Sequence, residues 1–111
     1  MLKTIHSIAE FEATLKEERA VRAYFYTAAC NDCKVLKPKV DEYFTANFPL
    51  IHLCYIDSKQ TPDIAAQQRV LVAPTVVIYF EGREFFRFSR AFGLEEMAGK
   101  VERPYSLMFG D

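Results

Sequence analysis

Cys30 and Cys33 stand three positions apart within the stretch Thr27 to Glu42, TAACNDCKVLKPKVDE. Two thiols at that spacing can cycle between dithiol and disulfide, or supply part of a tetrahedral metal site. The run Val21 to Tyr26 before them is rich in valine and aromatics and reads as a strand. From Asn31 onward Val35, Leu36, Val40, Tyr43 and Phe44 recur at spacings of three and four, so a helix follows. That order puts Cys30 at the helix N-terminus, where unpaired backbone N–H groups and the helix dipole favour negative charge. The thiolate is the reactive form of cysteine, and this placement lowers its pKa from the free value of about 8.5. Cys33, one turn further in, is close enough to attack a mixed disulfide formed at Cys30. The stretch reads as a redox dithiol.

The competing chemistry fares less well. Zinc wants four ligands, and the remaining candidates, His6, His52 and Cys54, lie in separate segments. His52 and Cys54 are read as facing opposite sides of one strand. No metal site is therefore expected, and an iron–sulfur cluster shared by the CxxC pairs of two chains is set aside. Cys54, inside an apolar strand, reads as an inert core cysteine. His6 and His52 have no acid or base role. Lys34, Lys37 and Lys39 read as a solvated helix face that offsets the charge of Asp32 a little. Core packing is the expectation for Phe85, Phe86 and Phe88.

The elements that must position the dithiol follow from the rest of the chain. Leu2 to Ile5 is a short first strand. Ser7 with Glu10 has capping-box spacing, and Ile8, Phe11 and Leu15 mark one face of a helix to about Glu18. Ala20 to Tyr26 is nearly continuous in apolar character apart from Arg22, as in a strand buried on both faces. The helix after Cys30 extends to about Asn47. Pro38 inside it frees the carbonyl of Lys34, so a kink is expected. Leu50 to Ile56 is the next strand, closing at Asp57, and Thr61-Pro62 begins a shorter helix. Val76 to Phe80, the Glu81-Gly82 turn and Glu84 to Ser89 form an antiparallel hairpin. A last helix runs from Leu94 to about Glu102, where Pro104 ends it. The tail to Asp111 keeps Leu107, Met108 and Phe109 and should pack on something. The order β-α-β-α-β-α-β-β-α predicts a mixed central sheet of four to five strands in a three-layer α/β/α arrangement.

Composition narrows the function classes. The chain has 111 residues, enough to bury a core in one domain covering 1–111. A net charge of −1 gives no electrostatic argument for nucleic acid or anionic membrane. No apolar run reaches the roughly 18 residues a membrane-spanning helix needs. The first residues, MLKTIHSIAEFEATLKEE, have no continuous apolar stretch and several acids, so they are not read as a signal peptide. Three cysteines do not make a disulfide framework. A cytoplasmic monomer without a bound cofactor is the expectation.

With the elements laid out, the chain resembles the thioredoxin family over roughly residues 5 to 103. The segment Cys30-x-x-Cys33-Lys34-x-x-x-Pro38-x-x-Asp41-Glu42 is similar in identity and spacing to that family's active-site helix. Ala73-Pro74-Thr75, opening a later strand, looks like the family's cis-proline loop, which faces the dithiol across a shallow groove. Asp57 and the Glu81-Gly82 turn also fall where the family has similar residues. The resemblance implies a thioredoxin fold and thiol–disulfide exchange with protein substrates. Cys30 attacks as thiolate, Cys33 resolves the mixed disulfide, and a reducing partner such as a thioredoxin reductase restores the dithiol. It also implies a cis Ala73–Pro74 bond, which would remove a backbone donor and leave Ala73 open to pair with a substrate chain.

Departures from the family's pattern cluster around the sulfurs. Ala29 stands where tryptophan is usual, so one wall of the substrate surface is missing. Asn31 and Asp32 replace glycine and proline, and the charge of Asp32 works against a thiolate. Tyr24 stands six positions before Cys30, where the family keeps a buried acid to handle the proton of the second thiol. Leu53 stands where that acid's lysine partner would be. Losing both partners of a buried pair is self-consistent, but proton handling at Cys33 must then rely on water or another group, and resolution should be slower. Val72 replaces a glycine and is expected to narrow the groove. The site residues are therefore Cys30 and Cys33 for chemistry, Ala73 and Pro74 for the groove, and Tyr24, Asn31, Asp32, Lys34 and Pro38 for tuning. The alternative is a binding or adaptor module of the same fold with little turnover.

Overall fold

A computed structural model describes residues 2–90 and 92–110, Leu2 by its backbone alone. Its elements are β1 (Leu2–Thr4), α1 (Ile8–Glu17), β2 (Ala20–Tyr26), α2 (Asn31–Asn47), β3 (His52–Asp57), α3 (Pro62–Gln67), β4 (Thr75–Phe80), β5 (Arg83–Ser89) and α4 (Leu94–Phe109). The strands form one five-stranded sheet in the order β1-β3-β2-β4-β5. β1, β3 and β2 are parallel, and β4 and β5 are antiparallel to their neighbours. This is the mixed sheet the element order predicts.

Two apolar layers flank the sheet, because side chains alternate along each strand. Val21, Ala23 and Phe25 of β2 join Phe11 of α1 and Ile64 and Ala65 of α3 on one face. Ala20 and Tyr24 join Cys33, Val40 and Phe44 of α2 and Met97 and Val101 of α4 on the other. β2 lies at the centre with six of its seven residues buried, Arg22 among them. α2 carries the dithiol at its start and is pinned to the sheet by Val40 and Phe44, both 0% exposed.

Local sequence explains the joints. Ser7 caps α1 by accepting the Glu10 N–H at 3.1 Å, while the Glu10 carboxylate accepts the His6 N–H, one residue earlier than a capping box closes. Glu81 and Gly82 both have positive φ, 52° and 77°, as a tight hairpin turn with the twist of its strands requires. Beyond that turn β5 is the edge strand. A register shift at Ile78/Tyr79 interrupts its pairing, and Arg83, Glu84 and Arg87 stand along it. Arg87 is bonded to Glu84 and to the backbone carbonyls of Gln68 and Arg69.

α4 departs from the sequence reading. It does not end at Pro104 but continues to Phe109, with Pro104 inside it. A proline there removes the donor to the Lys100 carbonyl, and an interior proline costs on the order of 3 kcal/mol. Long-range packing offsets that cost. Tyr105 stacks on Phe48 at 5.1 Å and on Phe109 at 5.0 Å. The Arg19 guanidinium lies 5.2 Å over Phe109, and the Tyr105 hydroxyl accepts the Leu50 N–H. The tail thus packs as expected, apart from Leu107, which is exposed; Asp111 lies outside the described residues. β3 begins at His52 rather than Leu50, whose side chain is exposed.

Candidate active site

Cys30 is the N-cap of α2. Its backbone is extended (φ −82°, ψ 105°), and its sulfur accepts the Cys33 N–H at 3.1 Å. The sulfur therefore takes the place of the side-chain oxygen that satisfies an orphan donor at most helix starts. The Cys30 N–H bonds the Thr27 carbonyl, which closes the turn from β2. Cys30 and Cys33 are joined as a disulfide, with Cα atoms 5.3 Å apart. Cys33 is 2% exposed, whereas Cys30 is half-buried and Ala29, Asn31 and Asp32 are exposed. The dithiol thus presents one sulfur outward and keeps the other covered.

Two hollows lie beside the first turns of α2, and one of them touches Cys33. A groove of about 360 Å³ runs between the first turns of α2 and the end of β5. Asp32, Val35, Leu36 and Lys39 of α2 line it together with Pro74, Arg90 and Phe92. The Ala73–Pro74 bond is cis. The loop is held by the Thr75 hydroxyl on the Val72 carbonyl at 2.7 Å and by the Arg90 N–H on the Pro74 carbonyl at 2.9 Å. Val72, expected to narrow the groove, is not one of its lining residues, and neither is Ala73, its half-buried neighbour. A smaller cavity of about 140 Å³ touches Cys33 and is lined by Tyr24, Tyr26, Thr27, Lys34 and Lys37.

Beneath the dithiol, the hydroxyl of Tyr24 donates to the Cys33 carbonyl at 2.9 Å. Burial pushes the Tyr24 phenol up to about 12, so it stays a proton donor through the physiological range. One step further along the same face of β2 lies Arg22, 0% exposed, its guanidinium paired with the Asp41 carboxylate of α2. Asp41 also accepts the Tyr55 hydroxyl at 2.7 Å and the Lys37 ammonium at 3.3 Å. The guanidinium packs over three rings, 5.0 Å from Tyr55, 5.4 Å from Tyr24 and 5.8 Å from Phe44, within the range of cation–π attraction. Burial alone would raise the Asp41 carboxyl. The hydrogen bond and charge of Arg22 outweigh it, helped by Tyr55 and Lys37, and hold it below the usual value. Burial and the bond to Asp41 push Tyr55 up to about 12.

Sequence reasoning located the two sulfurs, Tyr24 and the cis-proline, but passed over Arg22, Asp41 and Tyr55 as partners. A signal was present. A lone arginine in an otherwise apolar central strand must be paired if it is buried. Leu53, where a lysine was sought, lies directly opposite Arg22 in the β2–β3 register, and Tyr55 lies opposite Tyr24. The charge beneath the dithiol is therefore shifted by two residues, not lost. A second correction concerns β3: His52 and Cys54, two positions apart, share a face of the strand. Cys54 is 0% exposed, and burial raises its thiol to about 12, in keeping with an inert core residue. Lys37 also differs from a plain solvated lysine, since its ammonium sits 4.3 Å over the Tyr55 ring. Phe88 is buried, but Phe85 is 51% exposed and only partly fulfils the core reading.

Known proteins match both the sequence and this geometry. A family model described as "Thioredoxin" covers residues 3–103. Thioredoxin-2 of Pyricularia oryzae is 30% identical over 84 residues, which are 73% of this chain and 48% of that protein, so the match spans about half of the relative's length. Thioredoxin-like protein YdfQ of Bacillus subtilis is 25% identical over 107 residues, 96% of this chain and 95% of that one. Among solved structures, mitochondrial thioredoxin 3 from Saccharomyces cerevisiae in its oxidized form superposes with a TM-score of 0.82 at 23% identity, covering 91% of this chain and 94% of that one. At that identity the superposition establishes the fold.

Proposed function

Because the chain belongs to the thioredoxin family, we propose that it exchanges disulfides with protein substrates through Cys30 and Cys33, in the service of cytoplasmic redox homeostasis. Family membership and the bonded pair support thiol–disulfide oxidoreductase chemistry in general terms. The observation that carries the finer reading is the placement of the Cys30 sulfur. It is the half-buried member of the pair, it sits at a 17-residue helix N-terminus, and it receives a backbone N–H that would equally stabilise a thiolate. In this reading Cys30 attacks a sulfur of the substrate disulfide and releases one substrate thiolate. Cys33 then loses its proton and attacks the Cys30 Sγ, which frees the second substrate thiolate and closes the Cys30–Cys33 bond. Two electrons have passed to the substrate, and a reducing partner of the thioredoxin reductase kind returns them. Pro74 lines the groove that would receive the substrate chain, Ala73 adjoins it through the cis bond, and the electron path runs through sulfur alone. A single buried free cysteine, Cys54, and one redox pair suit a reducing compartment better than an export scaffold.

The test is reduction of a disulfide-bonded protein substrate with dithiothreitol as electron source, followed for the native chain and for Cys33→Ser. The native chain should accelerate reduction. Cys33→Ser should not turn over and should accumulate a covalent, thiol-reversible adduct through Cys30. If the native chain gives no acceleration and Cys33→Ser traps nothing, the dithiol is not an exchange site and the adaptor reading takes its place.

A further inference from the structure

The redox reading leaves one buried group unused. Arg22 is sealed in the central strand; among the described residues its Nε has no hydrogen-bond partner and its one charged partner is a carboxylate it shares with Lys37. Arg22 lies one aromatic ring away from Cys33, because Tyr24 packs against the guanidinium and bonds the Cys33 carbonyl. Lys34 and Lys37 line the same small cavity as Cys33. Arg22, Lys34 and Lys37 thus stand around this cavity and its floor, with Asp41 bonded to two of them. Asp32, the residue before Cys33, lines the neighbouring groove, and Asp57 stands opposite Tyr26 across the β2–β3 ladder. Tyr24, Tyr26 and Tyr55 complete the titratable groups around the cavity and its floor and are neutral at pH 7.

We propose that Arg22, Lys37 and Lys34, set against the carboxylates of Asp41, Asp32 and Asp57, ease the loss of the Cys33 proton when it resolves the mixed disulfide at Cys30. An opposite charge nearby favours the ionised form of a thiol. The cations touch neither reacting sulfur and act as positioning groups through space. The inference rests on the dithiol reading above. It also answers the question that Tyr24 raises, since a phenol held neutral cannot take the proton: cationic surroundings let the Cys33 proton leave to solvent through the cavity mouth.

Ellman's disulfide separates the two thiols in time. In the reduced chain the Cys30 thiolate attacks one sulfur of the reagent, forms a mixed disulfide and releases one thionitrobenzoate. Cys33 then gives its proton to solvent, attacks the Cys30 Sγ and releases the second thionitrobenzoate, so two electrons leave the dithiol for one reagent molecule. The rate of the second release against pH reports Cys33 alone, because Cys30 no longer carries a proton. Removing one charge at this range, in a medium between protein and water, should change the acid dissociation of Cys33 about threefold, or roughly half a pH unit. Lys37→Met should move the midpoint up and Lys37→Glu further up. Asp41→Asn should move it down. Lys37 is about half exposed, so its two variants keep the fold and carry the test even where Asp41→Asn does not fold. Midpoints that stay put in the Lys37 variants, or that shift in one direction in all three, would overturn the inference. A native chain that releases no second thionitrobenzoate would instead remove the dithiol reading and the inference with it.

Discussion

The Arg22–Asp41 pair makes an unequal bargain, and the inequality can be measured. Arg22 is 0% exposed, while the Asp41 side chain is 18% exposed. If Arg22 is replaced by methionine, Asp41 still reaches solvent and keeps its bonds to Tyr55 and Lys37. The methionine enters a space walled by Tyr24, Phe44 and Tyr55, so the loss is that of a few cation–π contacts, about 1 kcal/mol. If Asp41 is replaced by leucine, the guanidinium stays sealed in the sheet without a counter-charge. Its remaining hydrogen bond is a long one, 3.5 Å to the Cys54 carbonyl. Stranding a buried charge in this way costs about 3–5 kcal/mol. With about 2.1 cal/mol/K of unfolding entropy per residue over 111 residues, ~4 kcal/mol lowers Tm by ~17 °C and ~1 kcal/mol by ~4 °C. Thermal melts of the oxidised chain at neutral pH, followed by far-ultraviolet circular dichroism because the chain has no tryptophan, would read both. The double variant should recover most of what Asp41→Leu loses. Equal losses for the two single variants, or no recovery in the double, would refute the reasoning that burial of Arg22 sets the asymmetry.

Two further outcomes follow from the same structure. The Asp41 carboxyl is depressed in the folded chain, so around its ordinary value of 3.8 the native state binds fewer protons than the unfolded one. The stability it contributes is thus present above that value and is lost as pH falls through the lower folded value. Urea midpoints taken between pH 5 and 2 should show this loss in the native chain and a flatter profile in the Arg22→Met variant; parallel profiles would count against it. Tyr105→Ala removes the stacking on Phe48 and Phe109 together with the partner of the Leu50 N–H. It should destabilise by about 3 kcal/mol and fray α4 beyond Pro104, which amide exchange of residues 105–109 would report.

The parts of this molecule that were legible in the sequence are those fixed by neighbours along the chain. The helix after Cys30, the Ser7 cap and the Glu81-Gly82 turn each depend on a few consecutive residues, and each forms where the spacing puts it. The parts that were not legible are set by distant partners. Asp41 is 19 positions from Arg22 and on another element, and nothing in the local pattern of α2 says that its carboxylate turns toward the sheet. Pro104 obeys the rule for helix ends until Phe48 and Arg19 arrive from elsewhere to hold the next turn in place. The reading of His52 and Cys54 failed on simple strand parity, which was available from the sequence.

The irregular outer strand has a consequence for how the molecule behaves in a crowd. A sheet with two open margins invites other chains to add strands, and this one has a margin at β1 and another at β5. At β1 only three residues are on offer. At β5 the shifted register bends the ladder, and Arg83, Glu84 and Arg87 place charges along the rim. Short or kinked, charged margins are the means by which β-proteins discourage stacking into aggregates. Both margins of this sheet are therefore poor templates for an added strand.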